Sequence, residues 1–167
     1  MKNWHFGINI LGLIAVALMI AAMFRPWWSF TLEKTKTTNV YPYLIDGAAS
    51  EMIGYKRSPQ MTLLTGILVT CILLTLIGSF LKERSSRVVL VTAGALTLLG
   101  TWRLLARVAK VADRFHIPIQ GQGRAVYEGF AQIYVSTRLE SGTYLILAGG
   151  ILAILIGLLQ SWVRIGE

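Results

Sequence analysis

Residues 25–35, RPWWSFTLEKT, mark a change of period. They follow an unbroken apolar run and hold Pro26, which cannot continue a helical hydrogen-bond ladder. From Trp28 the pattern alternates: Trp28, Phe30 and Leu32 on one side, Ser29, Thr31 and Glu33 on the other. Alternation of this kind predicts a half-buried strand. A membrane helix therefore hands over to a small sheet here, with Trp27 and Trp28 also serving as anchors at a membrane interface.

The composition agrees with a membrane setting. The 167 residues are 54% hydrophobic and only 14% charged, too apolar for a soluble domain of this size. Stretches free of Asp, Glu, Lys and Arg run over residues 8–24, 61–81, 88–102 and 143–162. Each approaches the roughly 20 residues that cross a hydrocarbon core. The expected fold is an all-α transmembrane four-helix bundle, one integral membrane domain over residues 1–167. Its spans lie at about 7–24, 61–81, 88–105 and 143–162, and Trp102 and Trp162 are further interfacial anchors. The small-x-small triplet Ala15-Val16-Ala17 could end a signal peptide, but the apolar run continues past it, which predicts an uncleaved helix.

Four spans leave a tight link, 82–87 (KERSSR), and two long loops, 25–60 and 106–142, on the side opposite the termini. The loops carry strand patterns of their own. In AQIYVSTRLE, residues 131–140, Ile133, Val135, Thr137 and Leu139 alternate with polar neighbours. TTNVYPYLIDG, residues 37–47, predicts a further strand ending at the turn signal Asp46-Gly47. The run Gln120-Gly121-Gln122-Gly123 reads as a flexible turn, since a lone Gly-x-Gly outside a strand-to-helix context is no phosphate cradle. Three strands from the two loops would build the extramembrane sheet.

The third helix is expected to continue to about residue 115. Arg103, Arg107, Lys110 and Arg114 recur at helical spacing and form a basic stripe facing water, lipid or a partner. Leu104, Val108, Val111 and Phe115 form an adjacent apolar stripe expected to pack under the sheet, and His116-Ile117-Pro118 ends the helix.

The net charge is +8, and eleven of the sixteen Lys and Arg lie on the long-loop side. A raw count would place those loops in the cytoplasm. Density favours the reverse, because Lys82, Arg84 and Arg87 crowd a link that touches two spans. The termini and the 82–87 link are thus expected inside. These three cations fit anionic lipid headgroups as partners, whereas cations spread over both faces of a membrane protein do not suit nucleic acid.

The order of helix, strand-bearing loop, helix, tight turn, extended third helix, strand and fourth helix resembles the claudin-like four-span membrane proteins. That family includes claudins, peripheral-myelin-type proteins and receptor auxiliary subunits. It has a first-loop Gly-Leu-Trp motif and paired cysteines, where this chain carries Trp27 and Trp28 and no loop cysteine. The resemblance implies a bundle with an extracellular sheet and a scaffold, adhesion or auxiliary role.

No catalytic, cofactor-binding or metal-ligating constellation emerges. The spans contain no carboxylate of the kind that marks proton pathways. His5 and His116 fall near opposite faces and cannot share a metal, and Cys71, the single cysteine, cannot form an intramolecular disulfide. Small residues are more informative. Gly149, Ala153 and Gly157 make a smooth stripe for close helix packing, with Ala17 and Ala21 a weaker one, and Gly66 and Thr70 another. That packing is with a helix of the same chain or of another subunit. The expected function is a non-enzymatic scaffold or auxiliary subunit contacting a larger membrane protein. Alternatives are a self-assembling contact or adhesion protein and a small lipid or anion channel or carrier.

Overall fold

The computed structural model describes residues 9–47, 57–81, 83–114, 116–125 and 133–163, with the side chains at 83–84, 125 and 160–163 left aside. In chain order the elements are α1 (Ile10–Met23), β1 (Trp28–Leu32), β2 (Lys36–Val40), β3 (Ile45–Gly47), α2 (Pro59–Phe80), α3 (Glu83–Arg114), β4 (Gly121–Ala125), β5 (Ile133–Leu139) and α4 (Ser141–Val163). A helical bundle with a small antiparallel sheet results.

Helices α2, α3 and α4 are long and apolar enough to cross a membrane. Helix α1 is shorter than the expected span 7–24: its 14 residues rise about 21 Å, less than a hydrocarbon core of about 30 Å. Residues 7 and 8 lie outside the described residues. The helix opens at Ile10 because Asn9 caps it, its Oδ1 accepting from the Gly12 N–H at 3.0 Å. The Asn9 N–H in turn donates to the Ser79 carbonyl at 3.1 Å, tying the start of α1 to the end of α2.

The helices form a ring in which α1 packs on α2 and α4, and α3 packs on the same two. Small residues allow the close approach. A Cβ placed on Gly94 of α3 would lie 2.6 Å from the Gly150 carbonyl oxygen of α4, and one on Gly12 of α1 would overlap the Ser79 hydroxyl of α2. Ala15, Met19, Leu68, Leu90, Ile146, Ala153 and Ile156 fill the centre. Each helix also turns large apolar side chains outward, among them Ile14, Leu73, Leu99 and Leu155.

The link between α2 and α3 is shorter than the expected 82–87 loop, because α3 already begins at Glu83. Ser86 sits inside it, fully buried, and donates to the Gly78 carbonyl at 2.6 Å, which turns the hydroxyl back on the end of α2.

All strands lie where α1 ends and α4 begins, at the end of the bundle opposite this link. Their order is β3-β2-β1-β5-β4, every pair antiparallel. Alternation shows in β2 and β5, where Val40, Thr38, Val135 and Thr137 share one face with Trp28 and are buried while Arg138 on the other is exposed. Strand β1 itself does not alternate, because Ser29 is buried too, its hydroxyl donating to Glu140 at 2.7 Å. The segment 37–47 divides into β2 and β3, since Pro42 has no N–H for a ladder and the Tyr41 N–H turns to the Leu44 carbonyl at 2.8 Å.

Residues 120–123 are a correction. Gly121 to Ala125 form edge strand β4 rather than a flexible turn, in register with Thr137 to Ile133 of β5. Glycines show no side-chain alternation, so this strand is set by pairing alone. Gly121 has φ +125°, and a Cβ on Gly123 would meet Pro118 at 2.7 Å.

The β1–β2 connection is a tight turn with Glu33 and Lys34 at φ 49° and 61°, closed by the Thr35 N–H to Leu32 carbonyl bond of 3.1 Å. Positive φ at both central residues is the type I′ geometry that favours Asn-Gly. The double substitution Glu33→Asn with Lys34→Gly is expected to raise the melting temperature in detergent, by the equivalent of about 1 kcal/mol. An unchanged or lowered value would show that these side chains compensate for the strain.

Candidate functional site

A row of exposed cations lies on the part of α3 that leads into the sheet. Arg103, Arg107, Lys110 and Arg114 are all exposed along α3, and none forms a hydrogen bond or ion pair with a described residue. The helix carries them away from Trp102, 70% exposed at the end of the apolar stretch, for about 18 Å.

What covers the sheet differs from expectation. The apolar stripe of α3 does not pack beneath it as a unit: Leu104 and Val108 are half-buried, Val111 is 46% exposed, and Phe115 lies outside the described residues. Instead the chain after α3 lies across the buried face. Trp28 donates its indole N–H to the Ile119 carbonyl at 2.9 Å, and Thr137 donates its hydroxyl to the Pro118 carbonyl at 2.7 Å. The turn that brings this segment into place is not made by Pro118 itself. His116, at φ 54°, donates to Asp113 O at 3.0 Å, and Ile117 donates to Ala112 O at 2.9 Å. This is a Schellman ending with a histidine in the left-handed position usually held by glycine.

One cationic residue escaped the sequence pattern. Arg57 lines a cleft of about 300 Å3 together with Ser58, Pro59, Gln60 and Arg107. Ser58 caps α2 through its hydroxyl, which accepts from the Met61 N–H at 3.3 Å, and Pro59 takes the first helical position. The Arg-Ser-Pro triplet before an apolar run was the available signal. What sequence could not supply is the antiparallel packing of α2 on α3, where Gly100 faces Leu64, that brings Arg107 level with the cap.

The glycine stripe of α4 is used inside the chain. Gly149 faces Met19 and Ala15 of α1, Gly157 faces Val91 and the Arg87 carbonyl of α3, and Ala153 is fully buried. Ala17 and Ala21 face outward, while Ala15, Met19 and Ala22 make the inward face of α1. Gly66 has open space around it, and exposed Thr70 returns its hydroxyl to the Gly66 carbonyl at 2.9 Å.

Two expected anchors are corrected. Trp27 and Trp28 are 0% and 5% exposed, enclosed by protein rather than facing an interface, because their indole N–H groups find backbone carbonyls inside. The side chain of Trp162 lies outside the described residues, as do Lys82 and the side chain of Arg84; Arg87 is exposed.

The bundle interior holds hydroxyls, yet they are spoken for. Thr75, Ser79, Thr97 and Thr101 each donate to the carbonyl four residues earlier at 2.7–2.8 Å. Among the described residues only Asn9 Nδ2 is a buried side-chain polar atom without a partner, and no three His, Cys, Asp or Glu side chains gather as a metal site. Comparison with protein-family models finds no match, and comparison with curated proteins finds no significant one.

Proposed function

We propose that this chain is an integral membrane scaffold or auxiliary subunit without catalytic chemistry, docking a partner membrane protein through the surface beside the sheet. In this reading α2, α3 and α4 cross the bilayer, and α1 joins them as a fourth, shorter wall. The sheet and the α3 extension stand outside, with the 82–87 region in the cytoplasm. The observation that carries it is the exposed row Arg103, Arg107, Lys110 and Arg114, unpaired among the described residues, on a helix that outruns its apolar stretch. Charge complementarity across such a surface supplies register and specificity. The internal use of Gly149, Ala153 and Gly157 leaves the α4 stripe out of intermembrane-helix docking. The element order that resembles claudin-like proteins supports the same contact role.

Mild-detergent extraction followed by mass measurement tests this. The expected result is a stoichiometric larger companion that is lost when Lys110→Glu and Arg114→Glu reverse the outer charges. A homogeneous population of this chain alone would overturn the auxiliary role in favour of self-assembly. Sidedness is tested by cysteines at Lys34 and Ser85 with an impermeant thiol reagent in intact cells: Lys34→Cys is expected to react and Ser85→Cys to be protected.

A further inference from the structure

The cleft between the start of α2 and the extension of α3 combines three properties. It is a shallow hollow of about 300 Å3, and Arg57 and Arg107 line it from different parts of the chain. Among the described residues no carboxylate lines it, the first turn of α2 holds no acidic residue, and neither arginine forms a hydrogen bond or ion pair. Two like charges on one cleft, with no counterion among the described residues, repel each other, and a bound anion removes that cost. Guanidinium forks match the oxygens of a phosphate, and the positive end of α2 adds to their field.

The height of the cleft selects the source of the phosphate. Ser58 stands three residues before Met61, where the α2 apolar run begins, about 4.5 Å along the axis. Arg107 stands five residues beyond Trp102, about 7.5 Å. The headgroup layer is roughly 5–8 Å deep on each side of the hydrocarbon core. Lys110 and Arg114, at about 12 Å and 18 Å, rise above it. Only the inner half of the basic stripe meets lipid phosphate, and Arg57 completes that half from the residue before the α2 cap.

We propose that Arg57 and Arg107 clamp the phosphate of one anionic phospholipid headgroup in this cleft. This rests on the reading that α2 and α3 cross a bilayer, and it divides the basic stripe in two: Arg107 for lipid, Lys110 and Arg114 for the partner.

The test is native mass spectrometry of the full chain in detergent with phosphatidylglycerol or phosphatidylcholine added. The expected result is one retained phosphatidylglycerol in preference to phosphatidylcholine. Arg57→Gln with Arg107→Gln should weaken retention about 25-fold, roughly fivefold for each cation near the headgroup. Lys110→Gln with Arg114→Gln should leave it unchanged. No preference between the lipids, or a preference that survives the Arg57/Arg107 pair of substitutions, overturns the clamp. Inorganic phosphate displacing the lipid at equal concentration would overturn the lipid assignment in favour of a free-phosphate site. Flotation with neutral vesicles separates the two readings: a chain that floats but shows no phosphatidylglycerol preference lacks the clamp alone, and a chain that does not float loses both.

Discussion

Trp27→Ala is expected to cost about 3–5 kcal/mol, enough to unfold the chain in mild detergent at ambient temperature. The indole is fully enclosed, so truncation leaves a large void that close-packed neighbours cannot refill. Trp27 also joins three parts of the fold at one residue. Its N–H donates to Val40 O at 2.8 Å, its indole N–H to Ala22 O at 2.9 Å, and its carbonyl accepts from the Glu140 N–H and the Thr143 hydroxyl at 3.1 and 2.6 Å. Trp27→Phe retains the backbone bonds and much of the volume but removes the indole bond to the Ala22 carbonyl, which keeps the longer Arg25 N–H contact at 3.4 Å, so about half the loss is expected. Thermal unfolding of both variants in one detergent measures this. A Trp27→Ala protein melting within a few degrees of wild type would mean the junction is not the hub described.

Gly94→Leu is the second large effect. Its Cβ alone would stand 2.6 Å from Gly150 O, 2.7 Å from Ile154 Cγ1 and 3.1 Å from the Ile154 nitrogen, two of the three being α4 backbone. Backbone cannot rotate away, so α3 and α4 must separate, at a cost of about 3 kcal/mol or more. The control is Gly66→Leu, where nothing lies within 4 Å and the gain in helix propensity is up to about 1 kcal/mol. Opposite shifts in melting temperature are expected from the same substitution. Equal shifts would show that the α3–α4 approach is not glycine-dependent.

Much of this architecture was legible before any coordinates. The α2 and α4 stretches and the strand periods of β1 and β5 come from local patterns. The basic stripe of α3 does as well. Harder to see was anything that depends on a distant partner. Strand β4 carries Gly121 and Gly123, whose missing side chains erase the alternation, and only β5 makes it a strand. The partition of the α4 stripe between α1 and α3 follows from the ring of helices, which spacing along one helix cannot order. Arg57 looked solitary because its companion Arg107 comes 50 residues later. The two tryptophans misled for a chemical reason: Trp suits an interface and a polar-lined core equally well, and the Ala22 and Ile119 carbonyls decided the matter.

Strand β1 lies at the centre of the sheet but takes its two ladders from segments far apart in sequence. One neighbour, β2, is local; the other, β5, brings Glu140 to Ser29 across 111 positions and Thr143 to Trp27 across 116. A ribosome adding about 5–20 residues per second leaves β1 waiting about 5–20 s for that second neighbour. Until β5 is made, the β1–β2 hairpin therefore presents a naked backbone edge, the kind that templates aggregation. Helix α4 follows β5 directly, so the segment from Ile133 onward both closes that edge and completes the ring of helices.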